Sequence, residues 1–271
     1  MDSKVSYRLE ADGRIFCISI NDPKQLNSLS FQDFNRIGQL LEQADSDEKV
    51  LVTVLQSTGR FFSAGGKVGD VRKMELEVSE HPERLLGRLA DPNVYLVNTF
   101  AKHRKLLMCC LNGPAVGMTA SLVMLCDVLY AKNDSVYLLF PFTSLGFVPE
   151  GGSSVTLPWK LGINTAYEHL VFSTPISLQE LMNTGTVTRN YTMQDTDQFN
   201  ARVIDDVKKA LPQMQVQSLL GIKKLLKSQK EQTWLLKAQA AETNETLPFW
   251  SSGEPFKRFR ELQKGSRRHK L

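Results

Sequence analysis

Apolar and polar residues alternate along residues 5–20, and the alternation breaks at Asp12-Gly13. That pattern predicts a strand, a tight turn and a second strand. Pro23 and the asparagines around it mark a loop, and Ser30 is placed to cap a helix. Phe31, Phe34, Ile37, Leu40 and Leu41 then recur at three- and four-residue spacing, the stripe of an amphipathic helix. Residues 51–57, LVTVLQS, are a continuous run rich in apolar and β-branched residues that reads as a strand covered on both faces. Strand, loop, helix and buried strand set an α/β rhythm.

A glycine-rich turn follows, with Gly59, Gly65, Gly66 and Gly69. Such a turn after a buried strand often offers backbone N–H groups to a ligand. It matches neither nucleotide-phosphate fingerprint. Residues 70–92 are charged and end at Asp91-Pro92, which reads as a surface helix or a partly disordered lid. Residues 93–105 have helical period, and 106–113 form a second buried strand that turns at Asn112-Gly113-Pro114. Small residues open a helix over 117–125, and strands are expected at 127–131 and 136–142. Strand, helix, strand thus recurs as a ββα-like unit rather than as a short sequence repeat.

Beyond Gly152 the pattern predicts a helix broken at Pro158 and resumed near Asn164. A turn, a helix and a short strand are expected across 173–190. Helices then cover 195–209, 219–227 and 229–249, and 253–265 closes the chain. This divides the chain into a core, 1–195, and a helical C-terminal region, 196–271. Lys223, Lys224, Lys227, Lys257, Arg258 and Arg260 cluster in that region. They read as a solvated face, although Phe256 and Phe259 interleaved with Lys257 and Arg258 would suit a polyanion.

The chain has 271 residues, 42% hydrophobic and 23% charged, enough for one large core. A net charge of +4 permits an anionic ligand without calling for nucleic acid. Cys17, Cys109, Cys110 and Cys126 lie in apolar runs without CxxC spacing, as small buried hydrophobes in a reducing compartment do. The four histidines are far from any cysteine pair, so no metal site is expected. The N-terminus has no apolar signal region, and no run is long enough to span a bilayer. The residues His269-Lys270-Leu271 are similar to a Ser-Lys-Leu peroxisomal address. They predict a peroxisomal matrix location and an import-receptor contact.

The chemistry concentrates in residues 109–152. An apolar run, the Asn112-Gly113-Pro114 turn and a helix start at Gly117-Met118 lead to one carboxylate, Glu150, followed by two glycines. Phe147, Val148 and Pro149 precede it. Desolvation there disfavours the charged form and raises the pKa toward the range of a general base. The same residue could equally be a surface glutamate opening a helix.

RFFSAGG after a buried strand, LNGPAVGMTASLVMLCDVLYA further on and NDPKQLNSLS near the N-terminus resemble the crotonase (enoyl-CoA hydratase/isomerase) superfamily, in the family's order. The PEGG after LLFPFTSLGFV is similar to its fungal peroxisomal Δ3-Δ2-enoyl-CoA isomerases and to a paralogous group named for Δ3,5-Δ2,4-dienoyl-CoA isomerisation. The resemblance implies an α/β, crotonase-like spiral of ββα repeats with a helical trimerisation region. It implies an oxyanion hole from the backbone N–H groups of Gly66 and Met118, worth ~3 kcal/mol per donor in comparable sites. Glu150 would be the base that takes a proton from C2 of a 3-enoyl thioester and returns it at C4. The positions matching the hydratase glutamates hold Ser121 and Phe142, which cannot activate water. Gly151 stands where dienoyl isomerases of animals carry a further acid. Gly66-Lys67 departs from the family's Ala-Asp, which would leave the first donor less rigid. Coenzyme A would be held at Lys24, Gln25, Ser63 and Ala64, with Lys257 contributed by a neighbouring subunit. No cofactor is implied, since coenzyme A is part of the substrate. A homotrimer or hexamer, alone or mixed with a paralogue, is implied. The expected activity is a 3-enoyl-CoA to 2-trans-enoyl-CoA shift. A 3,5-dienoyl-CoA isomerase and a weakly active acyl-CoA-binding paralogue that assembles with related subunits are the other readings.

Overall fold

The N-terminal alternation folds as its pattern predicts: β1 (Val5–Glu10) and β2 (Ile15–Ile20) pair antiparallel. Ala11, Asp12 and Gly13 turn the chain between them, all at positive φ. The computed structural model describes residues 4–227 and 229–266. Ser30 caps α1 (Phe31–Ser46): its hydroxyl accepts from the Asp33 N–H, and the Asp33 carboxylate accepts from the Ser30 N–H at 2.8 Å. All six residues of β3 (Val52–Ser57) are buried.

Then come α2 (Val68–Glu80), α3 (Leu85–Lys102), β4 (Leu106–Leu111), β5 (Ala115–Val116) and α4 (Met118–Met124). The chain continues through β6 (Val128–Ala131), β7 (Tyr137–Leu139), α5 (Phe142–Leu145), α6 (Ser153–Leu161) and α7 (Ile163–Phe172). β8 (Ile176–Ser177), α8 (Leu178–Asn183), β9 (Arg189–Asn190) and α9 (Thr196–Ala210) complete the layered part. The last helices are α10 (Val216–Leu226), α11 (Gln229–Ser251) and α12 (Glu254–Gln263).

The main sheet runs β1-β2-β3-β4-β6-β9, parallel except for the first pair, and a second runs β5-β7-β8. Strand periodicity divides the core in two. Phe16 and Ile18 of β2, Leu55 of β3, and Leu107 and Cys109 of β4 face the larger core with α1, α3 and α4. Their alternates Ile15, Cys17, Val52, Val54, Met108 and Cys110 meet Phe199, Val203, Ile204 and Val207 of α9. α9 therefore packs on the sheet, so residues 196–210 belong to the layers rather than to the outlying helices. All four cysteines are buried and unbridged.

Two prolines mislead a sequence reading. Residues 70–92 are not one segment ending at Asp91-Pro92: the break comes at a short 3-10 turn, Pro82–Arg84, and α3 runs through Pro92. A mid-helix proline costs ~3 kcal/mol. Burying Leu85, Leu89, Leu96, Val97 and Phe100 on one face of α3 outweighs that cost. Likewise α6 runs through Pro158 and stops at Gly162, at φ +88°, not at the proline.

The C-terminal basic cluster is a solvated face only at Lys224 and Lys257, which are exposed; its other members are tied to the protein. Lys223 reaches Asp127 at 2.6 Å and the Lys105 carbonyl, and Lys227 reaches Asp127 at 3.4 Å. Arg258 is tied to Glu254 and the Ser144 carbonyl, and Arg260 to Glu75. Phe256 is buried, and Phe259 stacks on Phe147 and Trp250. Charges tethered internally and aromatics turned inward hold the last helices onto the core.

Asp127 thus neutralises two largely buried lysines. Asp127→Ala strands them, with an expected loss of about 3 kcal/mol. Urea unfolding should show a lower midpoint at unchanged slope.

Candidate active site

The turn after β3 is shaped before any side chain enters the site. The Phe62 N–H donates to the Pro114 carbonyl at 2.9 Å, and the Val116 N–H to the Ser63 carbonyl at 3.0 Å. These bonds lay residues 62–66 alongside β5. Asn27 and Asn112, both fully buried, donate to the carbonyls of Thr58, Gly59 and Phe61 and pin the approach to the turn. Gly65 has φ +87°, and a Cβ there would lie 2.7 Å from the Val116 carbonyl oxygen, so only glycine fits.

Two N–H groups emerge from this arrangement. Gly66 lies just beyond the turn, and Met118 opens α4 after Gly117 at φ +59°. Neither N–H donates to an acceptor among the described residues, and both residues line the same cavity. Gly66 is not loosely held: the Leu29 N–H donates to the Gly65 carbonyl and the Lys67 N–H to the Leu29 carbonyl, each at 2.8 Å. The expected loss of rigidity from Gly66-Lys67 is therefore corrected by two bonds that bracket the donor.

The cavity encloses about 310 Å³. Glu150 lies on its wall with Leu29, Phe34, Met74, Leu89, Phe142 and Phe147. Trp250, Phe259 and Leu262 of the last two helices close it. Burial pushes the Glu150 carboxyl from its ordinary value near 4.5 up to about 7; the neighbouring Glu242 charge adds to the rise, and a hydrogen bond from Asn93 opposes it. Glu150 is half-buried and lines the cavity rather than the open surface, which sets the surface-glutamate alternative aside.

Gly151 and Gly152, at φ +69° and +78°, make the turn that carries Glu150 into α6. A Cβ at Gly151 would lie 2.6 Å from that of Ser121, so the position that could hold another acid is closed by packing. Ser121 is fully buried, and Phe142 belongs to the apolar wall. Neither offers a base.

The ligand-holding residues expected from sequence are dispersed. Ala64 lines the cavity, and its N–H donates to the Leu26 carbonyl at 2.9 Å, which brings the exposed Lys24-Gln25 turn beside it. Ser63 is fully buried; its hydroxyl donates to the Asn27 carbonyl and accepts from the Gly65 N–H. That hydroxyl shapes the turn and is not offered to a ligand. Lys257 is exposed on α12, 3.7 Å from Glu254, and is not part of the cavity wall. The basic groups on the wall are Lys67 and Arg88. His269, Lys270 and Leu271 lie outside the described residues. Among the described residues no three metal-ligating side chains gather, and no helix is long and apolar enough to cross a membrane.

Sequence reading missed three polar groups. Asn93 accepts from the Gly151 N–H at 2.9 Å and donates to the Leu89 carbonyl. Glu242, buried on α11, accepts from the N–H groups of Gly152 and Ser154. Asp70, in the first turn of α2, reaches the cavity wall and pairs with Lys73 through its other oxygen. A polar residue at a core-facing helical position was the available signal for Asn93 and Glu242. Nothing in the sequence separated Asp70 from its charged neighbours.

Two N–H groups with no acceptor among the described residues, on residues that line one cavity with a carboxylate of raised pKa, are an arrangement that could take a proton beside a carbonyl whose oxygen gains charge. Comparisons with known proteins agree with that class. The enoyl-CoA hydratase/isomerase family pattern matches residues 10–250, and the chain belongs to this family. It is 52% identical, over the whole of both chains, to a protein of Saccharomyces cerevisiae named Δ(3,5)-Δ(2,4)-dienoyl-CoA isomerase. It is 41% identical to the 3,2-trans-enoyl-CoA isomerase of the same yeast, covering all of this chain and 98% of that one. A solved enoyl-CoA hydratase/isomerase from Acinetobacter baumannii shares the fold with a TM-score of 0.82 at 22% identity, over 97% of this chain and 99% of that one.

The raised Glu150 pKa also makes a stability prediction. The folded protein keeps this proton up to about pH 7, whereas the unfolded chain releases it near 4.5. Folding is therefore favoured by this group at low pH, and the benefit is lost as pH rises through that window. Glu150→Gln cannot titrate and should escape the loss. Relative to that variant, the wild-type unfolding free energy should fall by on the order of 3 kcal/mol between pH 4 and pH 8. Paired urea titrations across that range measure it.

Proposed function

We propose that this protein is an acyl-CoA double-bond isomerase that shifts a 3-enoyl-CoA to the 2-trans-enoyl-CoA. The observation that carries the reading is Glu150 beside two free N–H donors, with no second acid at Ser121, Phe142 or Gly151. The thioester oxygen sits between the Gly66 and Met118 N–H groups. The ionised Glu150 removes the C2 proton, and the electron pair moves through C2 and the carbonyl to give an enolate whose oxygen the two donors hold. The neutral acid then delivers the same proton to C4, the double bond forms between C2 and C3, and Glu150 is again a carboxylate. A pKa of about 7 suits both halves, since the group must accept and release the proton at similar cost.

The apolar wall would hold the acyl chain, and Lys24, Gln25, Ala64 and Lys67 lie on the side where the coenzyme A portion would emerge. No cofactor enters this chemistry. Assembly into trimers fits the exposed apolar residues Ile163, Tyr167 and Phe172 of α7. A peroxisomal matrix location rests on the His269-Lys270-Leu271 address; a reporter ending in these residues should enter peroxisomes, and one lacking the last two should stay in the cytosol.

A second reading, isomerisation of 3,5-dienoyl-CoA to 2,4-dienoyl-CoA, is favoured by the name of the 52% identical yeast relative and by Asp70 on the cavity wall. A catalytically weak acyl-CoA-binding protein is the remaining alternative. Turnover should be measured with 3-enoyl-CoA, 3,5-dienoyl-CoA and 2-enoyl-CoA. We expect the first to be converted, hydration of the last to be negligible, and Glu150→Gln to lower kcat by about 10²- to 10⁴-fold. Dienoyl turnover that exceeds mono-enoyl turnover and falls in Asp70→Asn selects the second reading. Binding of all three esters without turnover selects the third.

A further inference from the structure

Glu242 has no place in the proton shuttle, yet the fold spends a buried carboxylate on it. It sits on α11, far along the chain from Glu150, and is only 5% exposed. One oxygen accepts from the Gly152 N–H at 2.8 Å and the other from the Ser154 N–H at 2.9 Å. Gly152 N-caps α6, so the carboxylate occupies the helix N-terminus, where backbone donors and the helix dipole favour negative charge. Asn93 of α3 meanwhile holds the Gly151 N–H. Of the four residues after Glu150, all but Ser153 are thus gripped through their N–H groups by side chains from two helices. The Ser153 hydroxyl completes the turn by donating to the Glu150 carbonyl at 2.7 Å.

We propose that Glu242 is a positioning residue for the base. Its ionised carboxylate fixes the Gly151-Gly152 turn that presents Glu150 to the cavity, and it sets a second negative charge behind that base. The proposal rests on the reading of Glu150 as the proton carrier. A turn of two glycines at positive φ has little rigidity of its own. The clamp supplies it, and positional precision at the reacting atoms is a large part of rate. The order of ionisation follows from the contacts: Glu242 accepts two backbone N–H bonds and Glu150 accepts none from the backbone of the described residues, so Glu242 ionises first and Glu150 second. Burial raises both carboxyls, and the Glu242 charge raises Glu150 further.

Few other charges face the pair. α6 contributes only Lys160 at its far end, bound to the Cys126 carbonyl. α3 contributes Arg88 on the cavity wall and the exposed Asp91. The start of α2 brings Lys67 and Asp70 to the wall. On α12, Glu254 and Arg258 are paired with each other. On α11 itself, Lys237 and Glu245 are exposed.

The test is the pH dependence of kcat/KM for Glu242→Gln, which keeps the volume and removes the charge. The acid limb should move to lower pH, and kcat should fall about tenfold with KM changed less than twofold, because the turn loses one of the two acceptor oxygens that Glu242 supplies. Glu242→Asp, which keeps the charge, should leave the limb near its wild-type position. A limb unmoved in Glu242→Gln overturns the proposal, since a merely structural role lowers kcat without shifting it. Should that variant not fold, side-chain carboxyl 13C NMR of the intact wild type decides: Glu242 titrating below Glu150 supports the proposal, and the reverse order overturns it. Loss of the base assignment is a separate result, read from full activity in Glu150→Gln.

Discussion

The site depends first on the backbone bonds that bind residues 62–66 to the strand 115–116. They join two segments far apart in sequence and set Gly66 and Met118 on one cavity. Every other part of the chemistry is placed relative to that seam. The buried amides of Asn27 and Asn112 satisfy the carbonyls that the tight approach leaves open, so the seam is not strained by orphan polar groups. Gly113 and Gly65 sit where any side chain would strike the opposing backbone. Packing and polar satisfaction therefore act together: the glycines permit the approach and the asparagines stabilise it.

Against this fixed pair of donors the protein sets a carboxylate in apolar surroundings. Desolvation alone would make Glu150 a poor anion. The fold tolerates that cost because the neighbouring backbone is held elsewhere, by Asn93 from α3 and Glu242 from α11. The closure of positions 121, 142 and 151 to acids narrows the chemistry in the same way. A fully buried Ser121, a wall-forming Phe142 and a Gly151 with no room for Cβ leave no second acid at these three positions.

Much of this was legible in the sequence because it is local. The hairpin at Asp12-Gly13, the Ser30 cap and the continuous apolar strands are set by neighbours in the chain. Glu150 stood out because it interrupts an apolar run. Helix continuity across Pro92 and Pro158 was not legible, since tertiary burial overrides the local cost of proline there. Asn93 and Glu242 were missed for a related reason. Their importance lies in which N–H groups they meet, and those partners are set by helix packing rather than by spacing. Ser63 was misjudged in the opposite direction: a small polar residue in a glycine turn looks available, but its hydroxyl is used within the turn.

The wall of the cavity draws on both ends of the chain, from Leu29 to Leu262. A ribosome delivers the two donors and Glu150 well before it delivers Trp250 and Phe259. A nascent or prematurely cut chain would hold the reactive groups with their apolar cover missing and the carboxylate open to bulk water. Its basicity would relax toward that of an ordinary glutamate. The last two helices thus complete the apolar cover on which the raised basicity of Glu150 depends.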